Sequence, residues 1–338
     1  MESDGFKKTS WFHDTNYFVE CCNYGGDMNI FVFGSLAYDP IMTFPGRFAD
    51  NILVDKIDNL NVAFMVDSFV ERPGGTAGNI AYSLMLHGQK PKIVGTIGYD
   101  YQEYFAWLDQ NQMIREHVEI IPTDPTARAY VITDQDENQI TIFNPGAMQH
   151  ATHFGLEIYD STESIAIISP TNLEDMKIYS QRCKDLEIRY IFDPGQSLPA
   201  WEASDLTHAI NGAEVLIANE YEIELIQNKT GRGIKDLAVD VGAIIVTMGE
   251  RGALLFQEQD MSGRAVPVTH PTKVTDPTGA GDAFRGGLLA GLVNGIDLYG
   301  SSLMGSATAS FAVEVMGTQE YRFTMSQFQK RLAQLEKE

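Results

Sequence analysis

The chain is poor in cysteine and in positive charge. Its 338 residues include three cysteines, Cys21, Cys22 and Cys183, spaced neither for a metal site nor for a disulfide framework. They read as free thiols of a reducing, cytoplasmic setting. Lysine and arginine total 24 against 46 acidic residues, a formal net charge of −22. A field of that sign repels nucleic acid and anionic membrane, which argues against both as partners. No apolar run approaches the ~18 residues of a membrane span. Residues 1–27 are polar and irregular, with no apolar stretch of a secretory signal, and read as a disordered extension ahead of the first strand-like run. His150 and His153 have helical i, i+3 spacing but no third ligand, so they read as surface side chains. Two common phosphate motifs are also missing: there is no Gly-x4-Gly-Lys-Ser/Thr loop, and no Gly-x-Gly-x-x-Gly after the first strand.

What is present is ordinary globular composition, 44% hydrophobic and 21% charged, long enough for a large core. Short apolar runs at 30–33, 92–94, 164–168, 190–192, 214–217 and 244–247 read as buried parallel strands. Helix-period segments at 76–86, 101–111, 173–183, 220–226 and 283–292 alternate with them, and the tail from 303 to 335 is mostly helical. That alternation predicts an α/β fold: a doubly wound parallel sheet with helices on both faces. Two stretches break the rhythm. Residues 55–66 alternate polar and apolar, and 129–143 contain two strand-like runs about a turn at 134–138. Both predict a small β-sheet lid beside the site, which would exclude water or serve a dimer interface.

The most informative motif is Thr275-Asp276-Pro277-Thr278-Gly279-Ala280-Gly281-Asp282-Ala283-Phe284. A Gly-x-Gly turn entering a helix offers free N–H groups to an anion: Gly279, Ala280 and Gly281 are the candidate anion hole. A carboxylate at its mouth would only repel phosphate. Asp282 makes sense as the base that accepts a proton from an attacking hydroxyl. Other candidates sit where parallel strands end, the usual ligand edge of such sheets. Asp39 can accept from two vicinal hydroxyls, and Gly75 and Asn79 lie in a glycine cluster suited to a sugar ring. Asn219 and Glu222 start a helix, where they either organise Mg²⁺ through water or simply cap it. Thr247, Gly249 and Gly252 either border a nucleotide or form a plain hairpin turn.

Taken together, Gly74-Gly75-x-x-Gly78-Asn79, Asn219-x-x-Glu222, Thr247-x-Gly249-x-x-Gly252 and Asp276–Phe284 resemble the ribokinase-like (PfkB) carbohydrate kinases, over roughly Met28 to the C-terminus. Gly34–Asp39, Phe44–Phe48, Thr126-Ala127-Arg128, Phe143–Met148 and Gly317–Glu320 are similar to the bacterial adenosine kinase branch. The resemblance implies transfer of the ATP γ-phosphoryl group to the 5′-hydroxyl of adenosine, giving AMP, as in purine salvage. It assigns Asp282 as base; Ser35, Asp39, Gly75 and Asn79 to the ribose; Phe143 to adenine, with Gln196 as a polar neighbour; Asn219, Thr247, Gly249, Gly252 and Arg285 to ATP; and Glu222 to Mg²⁺. It also implies K⁺ activation near Asp276 and Gly317, and a homodimer through the lid strands. One departure stands out. Where a second ring facing the base is expected, after Arg128, the chain has Ala129; the next residue, Tyr130, falls on the opposite strand face. Phe64 is a substitute ring. Three readings follow: an adenosine kinase, a kinase of ribose, fructose or another nucleoside, and a catalytically idle nucleoside-binding protein on the same fold.

Overall fold

The computed structural model describes residues 28–52, 58–59, 61–257 and 260–335. The extension at 1–27, with Cys21 and Cys22, lies outside the described residues; Cys183 is buried and free. In chain order the strands are β1 (Asn29–Phe33), β2 (Ala37–Thr43), β3 (Ser68–Gly74), β4 (Lys92–Gly98), β5 (Val118–Ile121), β6 (Ala127–Thr133), β7 (Gln139–Asn144), β8 (Ser164–Ile168), β9 (Arg189–Phe192), β10 (Val215–Asn219), β11 (Ala243–Thr247), β12 (Ala253–Gln257) and β13 (Asp260–Val266). The helices are α1 (Phe48–Asn51), α2 (Thr76–Leu86), α3 (Gln102–Gln110), α4 (Leu173–Asp185), α5 (Ala203–Ile210), α6 (Glu220–Thr230), α7 (Ile234–Leu237), α8 (Ala280–Val293), α9 (Leu298–Ala312) and α10 (Met325–Leu335).

The large sheet has the order β13-β12-β11-β10-β9-β8-β1-β4-β5. It is parallel from β11 to β5, while β12 and β13 add an antiparallel edge. The chain winds outward from β1 to β4 and β5, then returns to β8 on the other side of β1. The crevice of such a sheet opens where the winding reverses, at the carboxyl ends of β1 and β8. There Ser35 N–H donates to the Pro170 carbonyl at 3.0 Å.

The strands are apolar throughout because both faces are covered. In β1, Ile30 and Val32 pack into one layer with α2, α3, α8, α9 and α10. Phe31 and Phe33 point the other way, into a layer with α4, α5 and α6. No described helix is long and apolar enough to cross a membrane.

A second sheet, β3-β2-β6-β7, forms the lid. The second predicted lid stretch is β6 and β7. The first is corrected. Residues 55–57 and 60 of the 55–66 stretch lie outside the described residues, and its described residues form no strand. The lid strands are instead β2 and β3. Proline hid both: Pro73 fits β3 because that strand is an edge, and Pro40 sits in a central strand where its missing N–H interrupts the ladder. The pairing of β2 with β6 runs through Ala37 and Tyr38, then resumes only at Ile41.

Candidate active site

The motif at 275–284 folds as a tight turn into α8. Gly279, the N-cap, has φ of 78°, and a Cβ there would sit 2.8 Å from Thr318 Cγ2, so only glycine fits. Asp276 ties the loop down by accepting from Thr278 N–H at 2.9 Å and Gly317 N–H at 3.0 Å. Of the expected anion-hole donors, Ala280 N–H turns back to the Pro277 carbonyl at 3.2 Å. Gly281 and Asp282, in the first turn, have no carbonyl four residues back to bond, so their N–H groups are the open donors at the helix's positive end.

Asp282 projects from that first turn into the crevice. Burial pushes its pKa up, Arg285 and a hydrogen bond from Asn79 pull it down, and the carboxylates of Asp193 and Glu222 push it up again, to about 6. The Asn79 bond runs from Nδ2 to Asp282 Oδ2 at 2.8 Å. Arg285, expected against phosphate, is mostly committed elsewhere. Its Nε and Nη2 both donate to the buried Asp193 carboxylate, leaving Nη1 beside Gly281. Burial works against the Arg285 charge, yet Asp193, Asp282 and Glu222 outweigh it and raise its pKa. The pair is therefore an ionised buried cation and anion, and its guanidinium underlies the turn that holds Asp282.

Asp39 on β2 is half-buried; desolvation first, then repulsion from Asp282 and Asp276, lifts its pKa to about 7. Asp39 pairs with Arg72 on β3. The register that sets Tyr38 against Arg128 and Ile41 against Val131 aligns Asp39 with Ala129, and Ala129 pairs with Phe143 on β7. Residues in one such row share a sheet face. Asp39, Ala129 and Phe143 thus lie in line on the inner face, with Tyr130 on the outer one. From β2 to β7 is two strand spacings, about 10 Å, comparable to the reach from ribose hydroxyls to the far edge of a purine. Phe143 is half exposed, at 48%, which leaves its ring free to stack. Phe64 is not its counterpart: it packs 5.0 Å from both Phe44 and Phe48, beyond the end of β2.

Other candidates are brought to the same edge, each with local partners of its own. The Ser35 hydroxyl is buried against Thr76, accepting from its N–H at 3.1 Å, so it holds the start of α2 in place. Gly75 caps that helix with φ of 85°. Asn219 and Glu222 form a reciprocal capping box, each N–H donating to the other's side chain at 2.8 Å; this is the capping alternative, and it leaves one Glu222 oxygen facing the cluster of Asp193 and Arg285. Burial and Asp193 raise the Glu222 pKa. Thr247 ends β11, and Gly249 and Gly252 shape the turn into β12, as the hairpin alternative has it. Gln196 is exposed on the turn after β9. Among the described residues no group of three His, Cys, Asp or Glu side chains converges as a metal site.

Three residues escaped the sequence reading. Asp193 follows β9 in an unremarkable Asp-Pro-Gly. Arg72 pairs with Glu320 at 2.5 Å, tying the lid to the 317–320 segment. Gln319 lies in that segment and bonds Asn79. No local pattern gives any of them a role: Asp193 stands in no motif, and Arg72 and Gln319 sit inside motifs whose spacing names no partner for them.

Comparison with known proteins agrees with this geometry. A model of the pfkB family carbohydrate kinases matches residues 29–323. The nucleoside kinase of Methanocaldococcus jannaschii is 32% identical over 284 residues, 82% of this chain and 91% of that protein. Its crystal structure aligns with a TM-score of 0.80 over 92% of this chain and all of that one, at 29% identity. The nucleoside kinase of Burkholderia thailandensis in complex with inosine aligns with a TM-score of 0.80 at 35% identity, covering 90% of this chain and 97% of that one.

Proposed function

Because the chain belongs to the pfkB family of carbohydrate kinases, phosphotransferases with an alcohol acceptor, we propose that it transfers the γ-phosphoryl group of ATP to the 5′-hydroxyl of a nucleoside, adenosine among them. The observation that carries the reading is the row Asp39, Ala129, Phe143 on the lid's inner face, beside Asp282. Asp39 accepts from the ribose hydroxyls at one end, Phe143 stacks on the base at the other, and Ala129 leaves the middle open. The nucleoside kinases named above, one of them solved with inosine, support a nucleoside acceptor. With Ala129 in place of a second ring the base is gripped on one side, worth about 1 kcal/mol less stacking. That favours tolerance among bases over strict selection of adenine.

In this mechanism Asp282 orients the acceptor hydroxyl and takes its proton. A base with a pKa of about 6 is ionised at neutral pH and still basic enough to assist. The N–H groups of Gly281 and Asp282 stabilise charge on the transferring group. Glu222 would hold Mg²⁺ through water, and the ion would supply charge neutralisation to the ATP phosphates. Asn219, Thr247, Gly249 and Gly252 would border the nucleotide while also capping α6 and turning the chain into β12. Asp276 fixes the 276–278 and 317 loops by accepting from Thr278 and Gly317 N–H groups, and the carbonyl oxygens of these loops are the place to look for K⁺ dependence. Residues 28–338 would act as one kinase domain, with residues 1–27 an extension to it, in a cytoplasmic purine-salvage role.

A panel of adenosine, inosine, guanosine, cytidine, ribose and fructose, compared by kcat/KM with ATP and Mg²⁺, tests the acceptor. Nucleosides should exceed free sugars by more than about 100-fold. A free sugar ranking first removes the nucleoside reading, and thermal stabilisation by nucleosides without ADP formation would favour an idle binding protein.

A further inference from the structure

Four side chains from four separate segments form one hydrogen-bonded line ending on Asp282. Trp107 Nε1 on α3 donates to Gln319 Oε1 at 2.7 Å. Gln319 Nε2 donates to Asn79 Oδ1 at 3.0 Å, and Asn79 Nδ2 donates to Asp282 Oδ2 at 2.8 Å. The line has one direction. An indole N–H only donates, so Gln319 turns its oxygen to Trp107 and its nitrogen to Asn79. Asn79 in turn presents nitrogen to the carboxylate. The close approach depends on Gly78, where a Cβ would lie 2.0 Å from Tyr104 Oη and 3.0 Å from Gln319 Nε2. Tyr104 Oη donates to the Gly74 carbonyl at 2.6 Å, so it faces Gln319 Nε2, 3.5 Å away, with lone pairs only.

We propose that Gln319 and Trp107 are positioning residues for phosphoryl transfer: they lock the Asn79 amide so that it donates to Asp282 Oδ2, leaving Oδ1 for the acceptor hydroxyl. The proposal rests on Asp282 being the base. If the lock is cut, the amide can turn over and bring its own oxygen against the carboxylate. Two acceptors meet comfortably only around a proton, so the turned-over state favours protonated Asp282. The other charged or titratable groups around Asp282 are Arg285 on its own helix, Asp193 after β9, Glu222 on α6, Asp39 on β2 and Tyr321. None of them bonds to Gln319 or Trp107, so a change at either residue acts on Asp282 through Asn79.

The test uses Gln319→Met, Trp107→Phe and the double variant in the full chain. Trp107 borders an open surface cavity of about 250 Å³ with Tyr38, Glu71, Glu103 and Gln110 and stacks on Tyr82, a contact that phenylalanine keeps in part. The readouts are kcat against pH, both KM values, melting temperature, and the ¹³C titration of the Asp282 carboxyl without substrates. We expect kcat to fall about 5- to 50-fold in Gln319→Met, with KM for ATP within about twofold. The acid limb and the ¹³C midpoint should both move up by about half a pH unit. The double variant should match Gln319→Met alone, because one line is cut once. A fall in kcat with unmoved midpoints would show a packing role only and overturn the proposal, as would an unchanged kcat. Should Gln319→Met fail to fold, Trp107→Phe decides by the same midpoint. Asp282→Asn separates the two claims: wild-type kcat in that variant removes the base, whereas its loss together with unmoved midpoints removes only the positioning line.

Discussion

At the scale of single residues, the site is a set of carboxylates kept close by burial. Asp39 and Asp282 both have raised pKa values, and each raises the other's cost of ionisation. The stability consequence has a definite sign. A carboxyl whose folded pKa lies above its unfolded value binds its proton more tightly in the folded state. Its stabilising contribution is full below the unfolded value near 3.8 and is lost as pH rises to about 7 for Asp39. Asp39→Asn should therefore raise the melting temperature of the substrate-free protein at pH 8 by about 2–6 °C. The gain should vanish by about pH 4, and kcat/KM for the acceptor should fall at least ~100-fold. Equal melting curves at pH 8 would place Asp39 in a wetter setting than the structure gives it. Asp282→Asn should lower kcat by about 10²–10⁴-fold with modest change in either KM, read in steady-state assays. The placement of Asp282 in the first turn after Gly279 was legible because the two are close in sequence. The line from Trp107 through Gln319 was not: Gln319 and Asn79 are 240 positions apart, and nothing local to either announces the other.

At the scale of elements, function is concentrated in one turn and one small sheet. Gly279→Val puts a branched side chain at φ of 78° and against Thr318. It should cost about 1–3 kcal/mol in unfolding free energy, measured by denaturant titration, and raise KM for ATP. Ala129→Phe restores a ring in the row between Asp39 and Phe143. It should narrow the acceptor panel toward one purine by about 5- to 10-fold in relative kcat/KM; an unchanged ranking would mean that the base does not rest there. The longer helices were legible from periodicity: α2 spans the expected 76–86, whereas the two-turn α5 at Ala203–Ile210 was not anticipated. The buried strands were legible because both faces demand apolar residues. β2 and β3 were not, because Pro40 and Pro73 argue locally against strands and only pairing with β6 and the edge position of β3 override them.

At the scale of the molecule, the fold gathers the proposed acceptor row, the turn into α8 and the ends of β10 and β11 at the carboxyl edge of the large sheet, beside a second sheet. The lid's outer face carries Phe69 and Ile142, exposed at 62% and 60%, on strands at its two edges. Exposed apolar area of that kind suits association of two copies through the lid strands. Sedimentation at micromolar concentration should show a dimer that Ile142→Lys disrupts; a wild-type monomer would contradict it. The net charge of −22 adds long-range repulsion to anionic substrates, so KM for ATP should rise as Mg²⁺ is withdrawn. The central claim, that the chain phosphorylates the 5′-hydroxyl of a nucleoside, is tested most directly by ³¹P NMR of the product formed from ATP, Mg²⁺ and adenosine or inosine. A 5′-phosphomonoester appears as a triplet, split by the two protons on C5′, and should accumulate in step with ADP. A doublet from a 2′- or 3′-ester, or ADP with no phosphomonoester at all, would contradict it.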